Sequence, residues 1–141
     1  MSTNWVQDIA NMHNKFGVNE VVRGFDAQKL QQMLKFRRDF LQEELTELFS
    51  NSADENFNPD EIVDACIDLI VVSLGTLNAF DVDAQVAWDR VLEKNMEKTV
   101  GIKPSRPNPL GLPDLIKPEG WQSPTHHDNL GLLAKIKNAQ I

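Results

Sequence analysis

Six of the seven prolines in this 141-residue chain lie after Gly101, and the seventh, Pro59, directly follows an asparagine. Proline cannot donate the backbone hydrogen bond that a helix interior or a central strand requires, but it fits the first turn of a helix. The distribution therefore confines long regular structure to residues 1–100. Residues 101–141 become an arm that is neither continuous helix nor central strand. The arm is not disordered by composition, because it carries Leu110, Leu112, Leu115, Ile116, Trp121, Leu130, Leu132, Leu133 and Ile136. That apolar content predicts an extended segment packed on the body or on a neighbouring subunit, ending in a short helix. Charge points the same way: residues 1–100 carry a net −9 and residues 101–141 a net +2. A basic arm can lie across an acidic body.

Within the first 100 residues the apolar spacing is helical, and no strand pattern competes with it. A first helix, about Asn4–Phe16, aligns Trp5, Ile9, Met12, His13 and Phe16 and stops at Gly17. A connector through Gly24 leads to a second, about Leu30–Ser50, with Leu30, Met33, Leu34, Phe40, Leu41, Leu45 and Leu48 as its stripe. After a polar loop at 51–58, Asn58 reads as an N-cap, Pro59 as the first helical residue and Glu61 as the capping-box position. The helix that follows, to Phe80, is apolar nearly all round, which predicts a central helix covered on most sides. Cys66 within it reads as a small core residue. A fourth helix starts at Asp81 or Asp83, runs to about Thr99, and turns Trp88 and Val91 inward. The expected class is all-α: a four-helix bundle over 1–100 with an extended Pro-rich arm over 101–141.

Two acidic pairs break this apolar logic. Glu44/Glu47 and Glu61/Asp64 are each spaced three apart, so each pair aims two carboxylates along one helix face. Glu44 projects near the centre of the second helix's stripe, and Glu47 lies at its edge beside Phe36 and Phe40. Glu61, Asp64 and Asp68 cluster on one side of the central helix, with Val71, Val72 and Gly75 continuing their line. A buried, unpaired carboxylate is unfavourable by several kcal/mol, so a cation has to compensate the set. Hard divalent cations such as Mg²⁺ take carboxylate oxygens, and helical bundles build metal sites from inward acids.

The fourth helix offers cations for a phosphate. Asn95 and Lys98 project onto the same stripe as Trp88 and Val91, and both can donate to phosphate oxygens. Lys98 could equally compensate the helix C-terminus. Arg37, two turns before Glu44, could pair structurally or clamp a phosphate, and the structural role is slightly favoured. Glu43 lies at the margin of the apolar arc, beside the metal pair. The bulk charge of −7 argues against nucleic acid. The N-terminus shows no signal-peptide pattern, and no apolar run approaches the ~20 residues that span a bilayer. A cytoplasmic protein with no membrane partner is expected.

Glu43-Glu44-Leu45-Thr46-Glu47 followed by Glu61-Ile62-Val63-Asp64 resembles the signature of the all-α nucleoside triphosphate pyrophosphohydrolases, the MazG-like superfamily that includes dimeric dUTPases and phosphoribosyl-ATP pyrophosphohydrolase. Asp64-Ala65-Cys66-Ile67-Asp68 through Gly75-Thr76, and Asn95-Met96-Glu97-Lys98, resemble two further stretches of that superfamily. The resemblance covers about residues 1–100. It implies a MazG-like bundle that forms a homodimer or homotetramer and cleaves a nucleoside triphosphate to the monophosphate and pyrophosphate. It also implies two or three Mg²⁺ ions, with Mn²⁺ able to substitute, on Glu44, Glu47, Glu61 and Asp64, with Asp68 as an additional or outer ligand. Glu43 or Glu47 is then the base that accepts the water proton, Asn95 and Lys98 face phosphate, and Arg37 either joins them or keeps a structural role. Val71 stands where the family often has an aromatic residue, and the arm resembles those of bacteriophage-encoded members, which would place the protein in a host cytoplasm. Trp5, Met12, His13 and Phe16 are base-pocket candidates, although such a stripe is more often plain core. dGTP, dUTP and dCTP all remain open as substrates. A diiron carboxylate bundle is disfavoured, because it needs Glu-x-x-His pairs and none of His13, His126 and His127 stands in that context. The rival reading is a non-catalytic Mg-nucleotide-binding or scaffold protein of the same fold.

Overall fold

The computed structural model describes residues 1–141 except Met1, Thr3, Pro107, Leu112, Pro113 and Ile141. Leu112, counted above with the arm's apolar residues, thus lies outside the described set. The described residues form six α-helices and one pair of short strands: α1 (Trp5–Phe16), α2 (Val18–Arg23), α3 (Ala27–Ser52), α4 (Pro59–Ala79), α5 (Ala84–Met96), β1 (Thr99–Gly101), β2 (Asp114–Ile116) and α6 (Leu133–Ala139). The fold is all-α in class, as expected. The chain divides into two compact units, residues 1–84 with 129–141, and residues 85–128.

In the first unit the helix boundaries follow capping chemistry. The Asn4 side chain accepts from Gln7 N and starts α1, which ends at Gly17. Asp26 accepts from Lys29 N and starts α3 three residues ahead of the expected Leu30. Asn58 Oδ1 accepts from Glu61 N at 3.4 Å, so the Asn58-Pro59 reading of the α4 start holds. The connector expected through Gly24 is instead the short helix α2, and a single 3₁₀ turn (Asp54–Asn56) occupies the polar loop before α4. Short helices of this kind carry weak periodicity, so spacing alone does not distinguish them from loop.

The core is small and made at one end. Val22, Leu30, Phe80 and Ile136 are buried together, with Val18, Phe25, Met33, Leu34, Val82, Leu132 and Leu133 packed around them. The last segment of the chain is part of this core. Leu132 N donates to Phe80 O at 2.7 Å, and Asn129 bridges Asp83 by accepting from its N–H and donating to its carbonyl, both at 2.8 Å. Gly131, at φ 53°, makes the approach feasible, because a Cβ there would collide with the Phe80 carbonyl.

α4 departs from expectation. It packs on α3 and α1, but Val63 (62%), Ile67 and Ile70 remain exposed, so this chain alone does not cover it on most sides. Cys66 is likewise exposed rather than core. By length and composition α4 is apolar enough to cross a bilayer, contrary to the sequence expectation; Asp64 and Asp68 interrupt it without lowering its average enough.

The second unit holds α5, the strand pair and the middle of the arm. β1 and β2 pair antiparallel, Val100 opposite Leu115, a strand element that periodicity over three residues does not announce. Arg90 holds the far end of this unit: its Nη1 and Nη2 donate to the two Asp128 oxygens at 2.7 and 2.8 Å, and Nη1 also donates to Thr125 O. This bidentate pair draws the Asp128 carboxyl down to about 2. Trp88 and Met96 on α5 are largely exposed, so the expected inward turn of Trp88 is not seen.

Candidate active site

The register between α3 and α4 is set by one buried arginine. Arg37 Nε donates to Thr76 Oγ1 and Nη2 donates to Val72 O, both at 3.0 Å, and its guanidinium lies 5.6 Å from the Phe40 ring. Of the two roles open to Arg37, the structure shows the structural one: a phosphate clamp would have to leave both bonds. Gly75 makes room for this crossing, since a Cβ there would collide with Arg37 Nη2 and crowd the His13 ring.

From that contact the acids follow by counting along antiparallel helices. Two turns on from Arg37 is Glu44, and one turn back from Val72 is Asp68. Glu44 is half-buried on the same stripe as Leu34, Leu41 and Leu48, as its projection requires, whereas Leu45 leaves the stripe and is exposed. Glu44 Oε2 is shielded from solvent and has no hydrogen-bond partner. Its pKa is raised above 4.5, first by burial and then by Glu47, Asp68 and Glu43. Acids from both helices thus act on one carboxylate.

Glu43, Glu47, Glu61, Asp64 and Asp68 are exposed. Among the described residues no three acids, histidines or cysteines stand as a ready-made metal group. The donor set nonetheless suits a hard divalent cation: all oxygen, all anionic, with one shielded oxygen unpartnered.

An apolar groove of about 350 Å³ runs between α1 and α4, lined by Trp5, Asp8, Ile9, Ile67, Ile70, Val71 and Leu74. Val71 lies one turn beyond Asp68 along α4. Of the four base-pocket candidates, Trp5 alone appears in this lining. Phe16 is 69% exposed and Met12 is partly exposed, while His13 is buried in the bundle. His13 sits among Asn19, Asn78 and Arg37, and its pKa is lowered from 6.5, mainly by burial and then by Arg37. Asn19 Nδ2 donates to Asn78 Oδ1 at 2.8 Å, tying α2 to α4. A polar interior of this kind is invisible to an apolar-stripe reading.

In the second unit, Asn95 is exposed at the end of α5, and Lys98 Nζ lies 5.3 Å from the Trp121 ring centroid.

The family model for phosphoribosyl-ATP pyrophosphohydrolase matches residues 12–95, more than half of the chain and all of the acidic set. The chain belongs to this family. The phosphoribosyl-ATP pyrophosphohydrolase family is part of the MazG-like nucleoside triphosphate pyrophosphohydrolase superfamily, so this is a hydrolase of the nucleotide pyrophosphohydrolase kind. No curated protein and no solved structure matches the chain. The match begins at Met12 and so leaves out Trp5, Asp8 and Ile9, the α1 wall of the groove. Sequence reasoning missed Asp8 and Ile9 as lining residues. The signal was present in their spacing from Trp5, three and four residues on, but not the partner helix that turns that stripe into a groove.

Proposed function

We propose that the chain hydrolyses a (deoxy)nucleoside triphosphate to the monophosphate and pyrophosphate, with Mg²⁺ held by Glu44, Glu47, Glu61 and Asp64 and with Asp68 as an additional or outer ligand. The observation that carries this reading is the Glu44 carboxylate: one oxygen is shielded and unpartnered, and its pKa is raised first by burial and then by Glu47, Asp68 and Glu43. Such a charge excess is unfavourable without a counter-ion. When bound, the metal lowers the pKa of a water and neutralises phosphate charge.

The protein's own groups supply the rest. Glu43 or Glu47, both exposed to a reacting water, accepts its proton during in-line attack on the α-phosphorus. Asn95 and Lys98 donate to phosphate oxygens. The base lies in the groove against Trp5, Ile67, Ile70 and Val71, with Asp8 at its wall. A carboxylate only accepts, so Asp8 favours a base that presents an amino group; that prefers dGTP or dCTP over dUTP. Trp5, Phe16, Val63 and Ile67 are exposed, and a second copy of the chain packing on them would take their apolar surface out of water, in keeping with a homodimer or homotetramer.

Pyrophosphate release measured across the eight common nucleotides, with Mg²⁺ and with a chelator, tests the reading. Metal-dependent turnover of one or a few deoxynucleotides is expected. Nucleotide binding without turnover under any divalent cation would establish the scaffold alternative instead.

A further inference from the structure

We infer that Lys98 and Lys117, gathered on the Trp121 ring, form a site for a diphosphate group, so that the arm contributes directly to phosphate binding. Three cations of the second unit are held in ion pairs. Arg90 is paired with Asp128, Lys94 with Glu97 and Arg106 with Asp114. Lys98 and Lys117 have no carboxylate within salt-bridge distance among the described residues. Both instead approach one aromatic ring, at 5.3 and 4.8 Å from its centroid. Their nitrogens are therefore no more than about 10 Å apart, within roughly one Debye length, so each feels the other's charge.

The ring itself is fixed. Trp121 Nε1 donates to Lys94 O at 2.8 Å, taking one of the carbonyls that the end of α5 leaves unpaired. Trp121 N donates to Pro118 O at 3.1 Å, which closes the turn between Lys117 and the indole. A held aromatic face attracts an ammonium but satisfies none of its three N–H donors. Two such ammoniums with no counter-charge attract an anion bearing several oxygens on adjacent centres. A diphosphate has that shape, whether as the terminal phosphates of a nucleotide or as free pyrophosphate. Helix-end compensation explains Lys98 at the end of α5, but not Lys117, which comes from the arm after β2.

The link to a nucleotide rests on the pyrophosphohydrolase reading; the anion site does not. Titration calorimetry of inorganic pyrophosphate into the full chain, in chelator so that no metal contributes, tests the site alone. The wild type is expected to bind with an affinity that falls as salt rises. Lys117→Gln and Lys98→Gln should each weaken binding about tenfold, while Lys117→Arg should retain it and leave the melting temperature unchanged. Absence of wild-type binding, or affinity unchanged in Lys117→Gln, overturns the proposal. If pyrophosphate binds through both lysines but no nucleotide is cleaved, the anion site stands and the proposed function fails. Where nucleotides are cleaved, a raised KM in Lys117→Gln assigns the site to the substrate's phosphates. An unchanged KM with lost pyrophosphate binding assigns it to free pyrophosphate.

Discussion

As the proposed metal ligand, Glu44 would pull stability and activity in opposite directions. Its pKa is raised in the folded chain, so its neutral form stabilises the fold below 4.5, and that contribution is lost as pH rises through the folded value. His13 has the opposite sign: its pKa is lowered, so its contribution is present above 6.5 and is lost as pH falls below that. In chelator, Glu44→Gln should therefore raise the melting temperature at pH 8 relative to wild type and shift the stability maximum upward. Glu44→Gln and Asp64→Asn should both abolish turnover, and Mg²⁺ should no longer protect Glu44→Gln against heat. Near-normal activity in either variant would remove these residues from the metal set. Lys98→Ala is expected to weaken nucleotide hydrolysis by about 1.5–3 kcal/mol, the range for a hydrogen bond to a charged group, with little change in melting temperature. A large stability loss with unchanged kinetics would give Lys98 the helix-end role.

The α3–α4 crossing depends on one glycine and one arginine. A methyl at Gly75 meets Arg37 Nη2, which is held by Val72 O, and the His13 ring, so neither neighbour can move without breaking the polar cluster. Overpacking of this kind costs about 1–3 kcal/mol, although alanine is otherwise the better helix former. Gly75→Ala should thus lower stability in thermal unfolding and, by shifting the Glu44–Asp68 register, reduce activity as well. A neutral or stabilising Gly75→Ala would show that Arg37 moves freely. The cap at Asn58 was legible from sequence because capping is local: an asparagine, its neighbour and one backbone N–H suffice. α2, β1 and β2 were not, since three to six residues are too few to show a period.

At the scale of the molecule, the end of the arm carries part of the core. Ile136 is buried against Phe80, Leu30 and Val22, and Leu132 hydrogen-bonds the end of α4. Ile136→Ala should cost about 2–5 kcal/mol, measured by denaturant unfolding, and deleting 102–141 should destabilise residues 1–84 further by uncovering Phe80. Equal stability of the truncated chain would make the arm passive. The exposed face of Val63, Ile67 and Trp5 leads to a separate expectation. Ile67→Glu should reduce the assembled mass seen by light scattering, and a wild type that is already monomeric would refute the subunit interface.

The sequence by itself determined the class, the start of α4 at Asn58-Pro59, and the placing of Glu44 with Glu47 and of Glu61 with Asp64 each along one helix face. Each of these follows from spacing along one helix or from chemistry within a few residues. Tertiary structure alone decided that Arg37 faces Val72 and Thr76, and that His13 is interior while Trp5 and Phe16 face out. It also brought Lys117 to the same indole as Lys98. These depend on which face of one element meets another far away in sequence, and periodicity records that a face is apolar without recording what covers it.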